Sequence, residues 1–258
     1  MNDGAIGFFD SGVGGLGVWL EVARLLPNES TIYIGDGANC PYGEKPPEEV
    51  RALAFAHVRS LLERGCKAIV VACNTATAAA VDDLRKAFPD TPFIGMEPAV
   101  KPAALSSASG VVGVLATRGT FDGLLYRRTC ERFASETTVL MCAADDFVDL
   151  VERGLTEGAE VEQAVRRRVE PLLAAGADCL VLGCTHFPFL KPAIEKVAAG
   201  RARIFDPAPA VARQVKRVLE ERNLLTGGNE PSNSFETTGA TEVFEKFVIF
   251  VTEREHEK

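Results

Sequence analysis

The chain lacks a continuous apolar run of the roughly 20 residues that a membrane-spanning helix needs, so a membrane partner is not expected. It also lacks an excess of positive charge. Its 28 Lys and Arg against 36 Asp and Glu give a net charge of −8, which argues against nucleic acid as a partner, because phosphate binding needs a basic stripe. The most basic run, Arg166-Arg167-Arg168, falls in a helical pattern beside Glu160, Glu162 and Glu170 and reads as a solvated helix face. There is no Cys-x-x-Cys, and seven cysteines are an odd number. That excludes a disulfide framework and zinc-finger spacing, and fits reduced thiols in a cytoplasm. The start, Met1-Asn2-Asp3-Gly4, carries no basic stretch of the kind that opens a signal peptide.

What remains is an ordinary globular composition, 47% hydrophobic and 25% charged over 258 residues, enough for one large domain or two modest ones. Short apolar runs at 5–9, 31–34, 68–72, 111–116, 139–142, 179–182 and 203–205 alternate with helical patterns at 16–26, 76–88, 147–153, 161–175 and 191–198, and with helices beginning at Pro47 and near Phe121. Another long helix is expected to end near Leu225. A last strand at 235–238 and a helix at 242–251 follow the loop 227–231. Continuous apolar strands separated by helices predict parallel sheets covered on both faces. Cys66, Cys130 and Cys179 fall inside apolar-patterned elements and read as small buried fillers.

The chain repeats itself. Residues 61–75 and 172–186 superimpose at a shift of 111 positions (184 − 73), aligning Leu-Leu, a Gly, a Val and a final Cys. Each copy reads as a helix end, a Gly stop, a buried strand and a cysteine where the strand gives way to a loop. The repeat predicts two similar three-layer α/β domains, with a boundary near Pro98.

In open α/β sheets, ligands lie beyond the carboxyl ends of the strands. Four predicted strands end in functional side chains: Asp10-Ser11, Cys73-Asn74-Thr75, Thr117 with Thr120 a turn later, and Cys184-Thr185-His186. A lone cysteine is more often a buried filler than a catalyst. Two in equivalent places, each followed by polar residues, point instead to paired acid/base thiols. His186 could hold or accept a proton for Cys184. Asp10 could do so for Cys73, or could cap the glycine turn. Asn74, Thr75, Thr117, Thr120 and Thr185 offer neutral hydrogen bonds to carboxylates. Two other readings compete. Gly12-Val13-Gly14-Gly15-Leu16-Gly17 matches a dinucleotide fingerprint, with Asp36 near the ribose position. Asp10-Ser11 displaces that turn, however, and the second half shows no nucleotide signature. A zinc site from Cys73, Cys184, His186 and Asp10 is chemically conceivable, though thiols on opposite sides of a ligand would not share one metal.

The ordered series Phe9-Asp10-Ser11-Gly12-Val13-Gly14-Gly15-Leu16, Gly35-Asp36, Pro41-Tyr42-Gly43, Ala72-Cys73-Asn74-Thr75, Ala116-Thr117, Gly119-Thr120, 147–154, Gly183-Cys184-Thr185-His186-Phe187-Pro188 and Phe235-Glu236-Thr237-Thr238-Gly239 resembles the glutamate racemases of the aspartate/glutamate racemase superfamily. The resemblance covers most of the chain. It implies two α/β domains, 1–97 with 208–258 and 98–207, with mainly parallel sheets and the active site in the cleft between them. It implies interconversion of L- and D-glutamate with no cofactor and no metal. Supply of D-glutamate for peptidoglycan, and so a bacterial cytoplasm, would follow. Homodimers occur among such enzymes, with a surface that the sequence does not mark. By resemblance, Cys73 and Cys184 are the paired acid and base, assisted by Asp10, Glu152 and His186. Asp10, Ser11, Tyr42, Gly43, Asn74, Thr75, Thr185 and His186 match substrate-contact positions, and Thr117 and Thr120 match a carboxylate site. The chain departs from the usual pattern at Pro46, Gly37-Ala38-Asn39-Cys40, Thr77 and Ala143. The superfamily also contains aspartate racemases and racemases of broader range, and a non-catalytic binding protein could share the fold. An intact cysteine pair argues against the last, since binding alone needs no thiol.

Overall fold

A computed structural model describes residues 4–122, 137–227 and 230–255. Cys130, most of the helix expected from Phe121, and two residues of the loop 227–231 lie outside them. The chain divides into two compact units, Met1–Met96 with Ala208–Lys258, and Glu97–Pro207.

The first unit holds strands β1 (Ile6–Asp10), β2 (Thr31–Gly35), β3 (Ala68–Val71), β4 (Phe93–Gly95) and β9 (Asn233–Thr237). They form one parallel sheet in the order β4-β3-β1-β2-β9. Alternate residues face opposite layers. Phe9, Ile69, Val71 and Phe93 pack with helices α2 (Pro47–Glu63) and α3 (Asn74–Ala87). On the other face, Tyr33 meets Phe235 and Phe244, and Trp19 meets Phe235 edge-on at 4.8 Å. These rings join α1 (Leu16–Leu25) and α10 (Thr241–Arg254) to the sheet, with α9 (Ala208–Glu221) packed on α1. Helix α2 shows why such segments are helical. Pro47 stands at its first turn, Glu48 and Glu49 oppose the amino-terminal dipole, and Val50, Ala54, Val58 and Leu61 form one buried stripe.

The second unit holds β5 (Val111–Ala116), β6 (Thr138–Ala143), β7 (Cys179–Leu182) and β8 (Arg203–Phe205), a parallel sheet in the order β6-β5-β7-β8. Helix α4 (Val100–Ser106) covers one face through Val100 and Ala103, against Val112, Val114 and Val181. Helices α7 (Ala159–Ala174) and α8 (Lys191–Ala198) pack together. A Cβ on Gly113 would stand 2.9 Å from Leu172 of α7, so the missing side chain sets that helix's approach. Short helices α5 (Arg118–Phe121) and α6 (Asp146–Glu152) complete the described elements. Among the described residues, no helix is long and apolar enough to cross a membrane. Arg166, Arg167 and Arg168 have half-exposed to exposed side chains, as a solvated face requires.

The internal repeat extends to individual hydrogen bonds. Gly65 (φ +78°) donates to Leu62 and Cys66 to Leu61, while Gly176 (φ +92°) donates to Leu173 and Ala177 to Leu172. Both sets close a helix by the Schellman pattern, in a left-handed conformation that costs a residue with a Cβ about 1–2 kcal/mol. At the far end of each strand, Ala72 N–H donates to Phe9 O (2.8 Å) and Gly183 N–H to Leu115 O (2.7 Å). In each unit the chain order places the third strand beside the first, with the second strand on the other side.

Candidate active site

In both sheets the connections diverge at the first and third strands, β1/β3 and β5/β7. The carboxyl ends of strands at such a divergence leave a crevice. The two cysteines stand there, each with one residue, Ala72 or Gly183, between it and the end of its third strand.

In the first unit, Asp10 ends β1 and is fully buried. Its Oδ2 accepts Gly15 N–H at 2.8 Å and Gly12 N–H at 3.3 Å. The cap position of α1 is Gly15, not Asp10. The amides that a pyrophosphate would need in a dinucleotide fold are therefore committed to the chain's own carboxylate. Tyr33 Oη donates to Gly12 O (2.8 Å) and holds the loop from the other side.

Cys73 is the N-cap of α3. Its Sγ accepts Ala76 N–H at 3.4 Å and lies 3.8 Å from Ser11 Oγ. A helix amino terminus stabilises negative charge on the sulfur. Asn74 and Thr75 begin the helix and are buried. Among the described residues, neither Oδ1 nor Nδ2 of Asn74 has a hydrogen-bond partner, although the residue is only 3% exposed. A buried carboxamide left so costs on the order of 1–3 kcal/mol per group unless a ligand completes it.

Tyr42 and Gly43 lie in a single turn of 3-10 helix, Tyr42–Glu44, and both are buried. Tyr42 Oη donates to Asp36 Oδ2 at 2.6 Å. Burial, then the Asp36 carboxylate, then charge on Cys73 and Asp10, push the Tyr42 hydroxyl well above the usual phenol range. Asp36 takes a role that the sequence reading missed. It ends no nucleotide loop; it is a buried acceptor for Tyr42, Asn39, His57 and Thr238. Burial pushes its pKa up, but the donors His57, Thr238, Tyr42 and Asn39 together hold it below the ordinary carboxylate range. The available signal was its position, since Asp36 follows β2 much as Asp10 closes β1. His57 carried none, because it sits in a helix beside the apolar stripe.

In the second unit, Cys184 is followed by a 3-10 segment, Phe187–Leu190, rather than directly by a helix. The helix amino terminus that acts on Cys73 thus has no counterpart at Cys184. Cys184 has a side-chain partner instead: its Sγ lies 3.7 Å from His186 Nδ1, and His186 Nε2 lies 2.6 Å from Glu152 Oε1. Glu152 ends α6, and Phe147 of that helix meets Phe187 edge-on at 5.2 Å, which holds helix and turn together. An ionised Glu152 accepts a hydrogen bond from Nε2–H, which leaves the Nδ1 lone pair of the neutral imidazole toward the thiol. Thr117 and Thr120 are buried, with their hydroxyls 3.0 Å apart. Thr185, three residues past the end of β7, is also buried. The structure thus joins Ser11 to Cys73, Cys184 to His186 and Glu152, and Thr117 to Thr120.

The Asp/Glu/hydantoin racemase family model matches residues 20–215 of this chain. A glutamate racemase of Roseiflexus sp. (strain RS-1) is 47% identical over 245 residues, covering 94% of this chain and 90% of that protein. Among solved structures, a Francisella tularensis glutamate racemase in complex with D-glutamate is similar with a TM-score of 0.85 at 29% identity, covering 100% of this chain and 96% of that one. An Escherichia coli glutamate racemase in complex with L-glutamate and the activator UDP-MurNAc-ala has a TM-score of 0.85 at 35% identity, covering 98% and 95%.

Proposed function

The chain belongs to the Asp/Glu/hydantoin racemase family, and we propose that it interconverts L- and D-glutamate without a cofactor, using Cys73 and Cys184 as the two acid/base groups. Each unit is read as a domain that carries half of the catalytic set. The observation that carries the reading is the matched placement of two buried cysteines at the divergence points of two like-ordered sheets, each with different proton-handling neighbours. A binding protein needs no such pair.

In one direction the Cys73 thiolate removes the α-proton of D-glutamate: the C–H bond breaks, an S–H bond forms, and the electron pair passes into the α-carboxylate system. The Cys184 thiol then gives its proton to the opposite face of the same carbon, producing L-glutamate. No electron is gained or lost, and the reverse direction exchanges the roles. His186 Nδ1 can take the Cys184 proton to prepare a thiolate, with Glu152 stabilising the imidazolium. For Cys73 the Ala76 amide and Ser11 hydroxyl serve the sulfur, and Asp10 keeps the glycine loop in place.

The α-proton of an amino acid is weakly acidic, so developing charge must be met by fixed donors away from water. Asn74 offers an amide that can donate to a carboxylate and accept from an ammonium. Thr75 and Thr185 add hydroxyls beside the two thiols, Tyr42 and Gly43 add backbone contacts, and Thr117 and Thr120 suit the second carboxylate of the substrate. The product D-glutamate would serve peptidoglycan synthesis in a bacterial cytoplasm.

The test is circular dichroism of L-glutamate over time with no added cofactor. The wild-type signal should decay to zero, and Cys73→Ala and Cys184→Ala should each abolish the decay while the proteins stay folded. Wild-type racemisation by either variant would remove the two-base mechanism. Faster decay with aspartate than with glutamate would move the substrate to aspartate.

A further inference from the structure

The loop that carries Tyr42 and Gly43 has little to hold it by itself. It consists of two three-residue 3-10 turns, Gly37–Asn39 and Tyr42–Glu44, and neither has a side-chain cap at its start. Isolated turns of this kind are weakly hydrogen-bonded. What fixes them is the buried Asp36 carboxylate. Oδ1 accepts from Thr238 Oγ1 at 2.6 Å and Asn39 Nδ2 at 3.0 Å, and Oδ2 accepts from Tyr42 Oη at 2.6 Å and His57 Nε2 at 3.1 Å. The donors come from four separate places: the first turn, the second turn, helix α2 and the segment after β9.

That last segment is some 200 residues away in sequence, and it grips the loop through more than one bond. Thr238 N–H donates to Gly35 O (3.0 Å), and Ala38 N–H donates to Thr238 Oγ1 (3.2 Å). A Cβ on Gly239 would stand 2.7 Å from the carbonyl carbon of Gly37, so backbone lies directly against backbone. On the other side, Asp36 N–H donates to Asp10 O at 2.9 Å, which ties the hub to the strand bearing the first acidic residue of the site. His57 is itself stacked on Phe9, with ring centroids 5.2 Å apart.

We infer that Asp36 is a positioning residue: its carboxylate, held by Thr238, Asn39 and His57, fixes the Tyr42 hydroxyl and so sets the Tyr42-Gly43 backbone where it meets glutamate. This rests on the reading that Tyr42 and Gly43 contact the substrate. It gives the segment after the carboxy-terminal strand a part in substrate binding, through Asp36 and Tyr42. A carboxylate suits the task because four donors converge on two oxygens with no competing hydrogen. An asparagine in its place would turn an N–H group toward at least one of them.

The experiment is a double-mutant cycle read in steady-state kinetics, with thermal melting as the folding control. Asp36→Asn is expected to raise KM for glutamate roughly tenfold, with a smaller fall in kcat, because the loop is displaced rather than the thiols. Tyr42→Phe removes only the hydroxyl and should raise KM in the same direction. If Asp36 acts through that hydroxyl, the Asp36→Asn/Tyr42→Phe double variant will be no worse than Asp36→Asn alone. If Asp36→Asn does not fold, Thr238→Val and Tyr42→Phe form the same cycle from an exposed position. Multiplicative effects in the cycle, or a lowered melting temperature with unchanged KM, would overturn the inference. Gly43→Ala separates the two levels. A raised KM for Gly43→Ala with unchanged KM for Asp36→Asn or Thr238→Val refutes the positioning role alone. An unchanged KM for Gly43→Ala refutes the substrate contact and the positioning role with it.

Discussion

The strands of the first unit carry their chemistry at one end and a buried ion pair at the other. Lys67 Nζ lies 2.5 Å from Glu29 Oε2, and both side chains are 3% exposed. Glu29 Oε1 also accepts Thr226 N–H at 2.9 Å, joining the entrances of β2 and β3 to the chain that returns from α9. Lys67→Met keeps most of the side-chain volume and strands the carboxylate without its counter-charge. Breaking a buried pair in this way costs about 3–5 kcal/mol, against a total stability for a globular protein of roughly 5–15 kcal/mol. In a protein of this size the melting temperature should fall by roughly 6–20 °C. Combining it with Glu29→Gln removes the stranded charge and keeps an acceptor for Thr226, so the double variant should recover at least half of the loss. Urea unfolding followed by circular dichroism measures the cycle, and initial rates measure kcat/KM of the folded fraction, which should stay at the wild-type value. A Lys67→Met cost below about 1 kcal/mol, or additive effects of the two substitutions, would refute the argument from burial. A fall in kcat/KM would refute the separation of the two strand ends.

Two further outcomes follow from the same geometry. Burial pushes the thiols of Cys66 and Cys179 up to about 11 from an ordinary 9.0. Between those values the folded chain keeps protons that the unfolded chain loses, so stability should fall as pH rises from about 9 and reach its full loss past about 11. Each thiol contributes up to about 3 kcal/mol to this loss. Unfolding of wild type and Cys66→Ala from pH 7 to 11 checks it, and equal slopes would refute it. Gly183→Ala would place a Cβ 2.9 Å from Leu115 O and 2.9 Å from Ala116 Cβ, with backbone that cannot step aside. The displaced chain carries Cys184, so kcat should drop on the order of a hundredfold with a stability cost of about 1–3 kcal/mol. Unchanged kcat in the racemisation assay would show that Cys184 tolerates the shift.

The sequence by itself determined most of the elements, the parallel sheets and the two cysteine positions, while the three-residue β4 and the short α4 were not among the segments it marked. Apolar runs of three to six residues between helical patterns have few other solutions, and the shift of 111 residues carries the helix stop, the buried strand and the cysteine as one unit. It also marked Asp10, Ser11, Asn74 and Thr117, because each lies at the end of a strand, and Thr120 a turn after Thr117. Only the tertiary structure decided what each polar group touches. Asp10 turned out to hold the glycine loop, and the two cysteines proved to differ in kind, one capping a helix and the other paired with His186 and Glu152. The sequence marked Asp36 by its position after a strand but not the hub that it forms. Its four donors lie between 3 and 202 residues away, and hydrogen bonds over such separations leave no local periodicity to read. Periodicity records which face of an element avoids water; which oxygen meets which donor depends on how distant segments come to rest against one another.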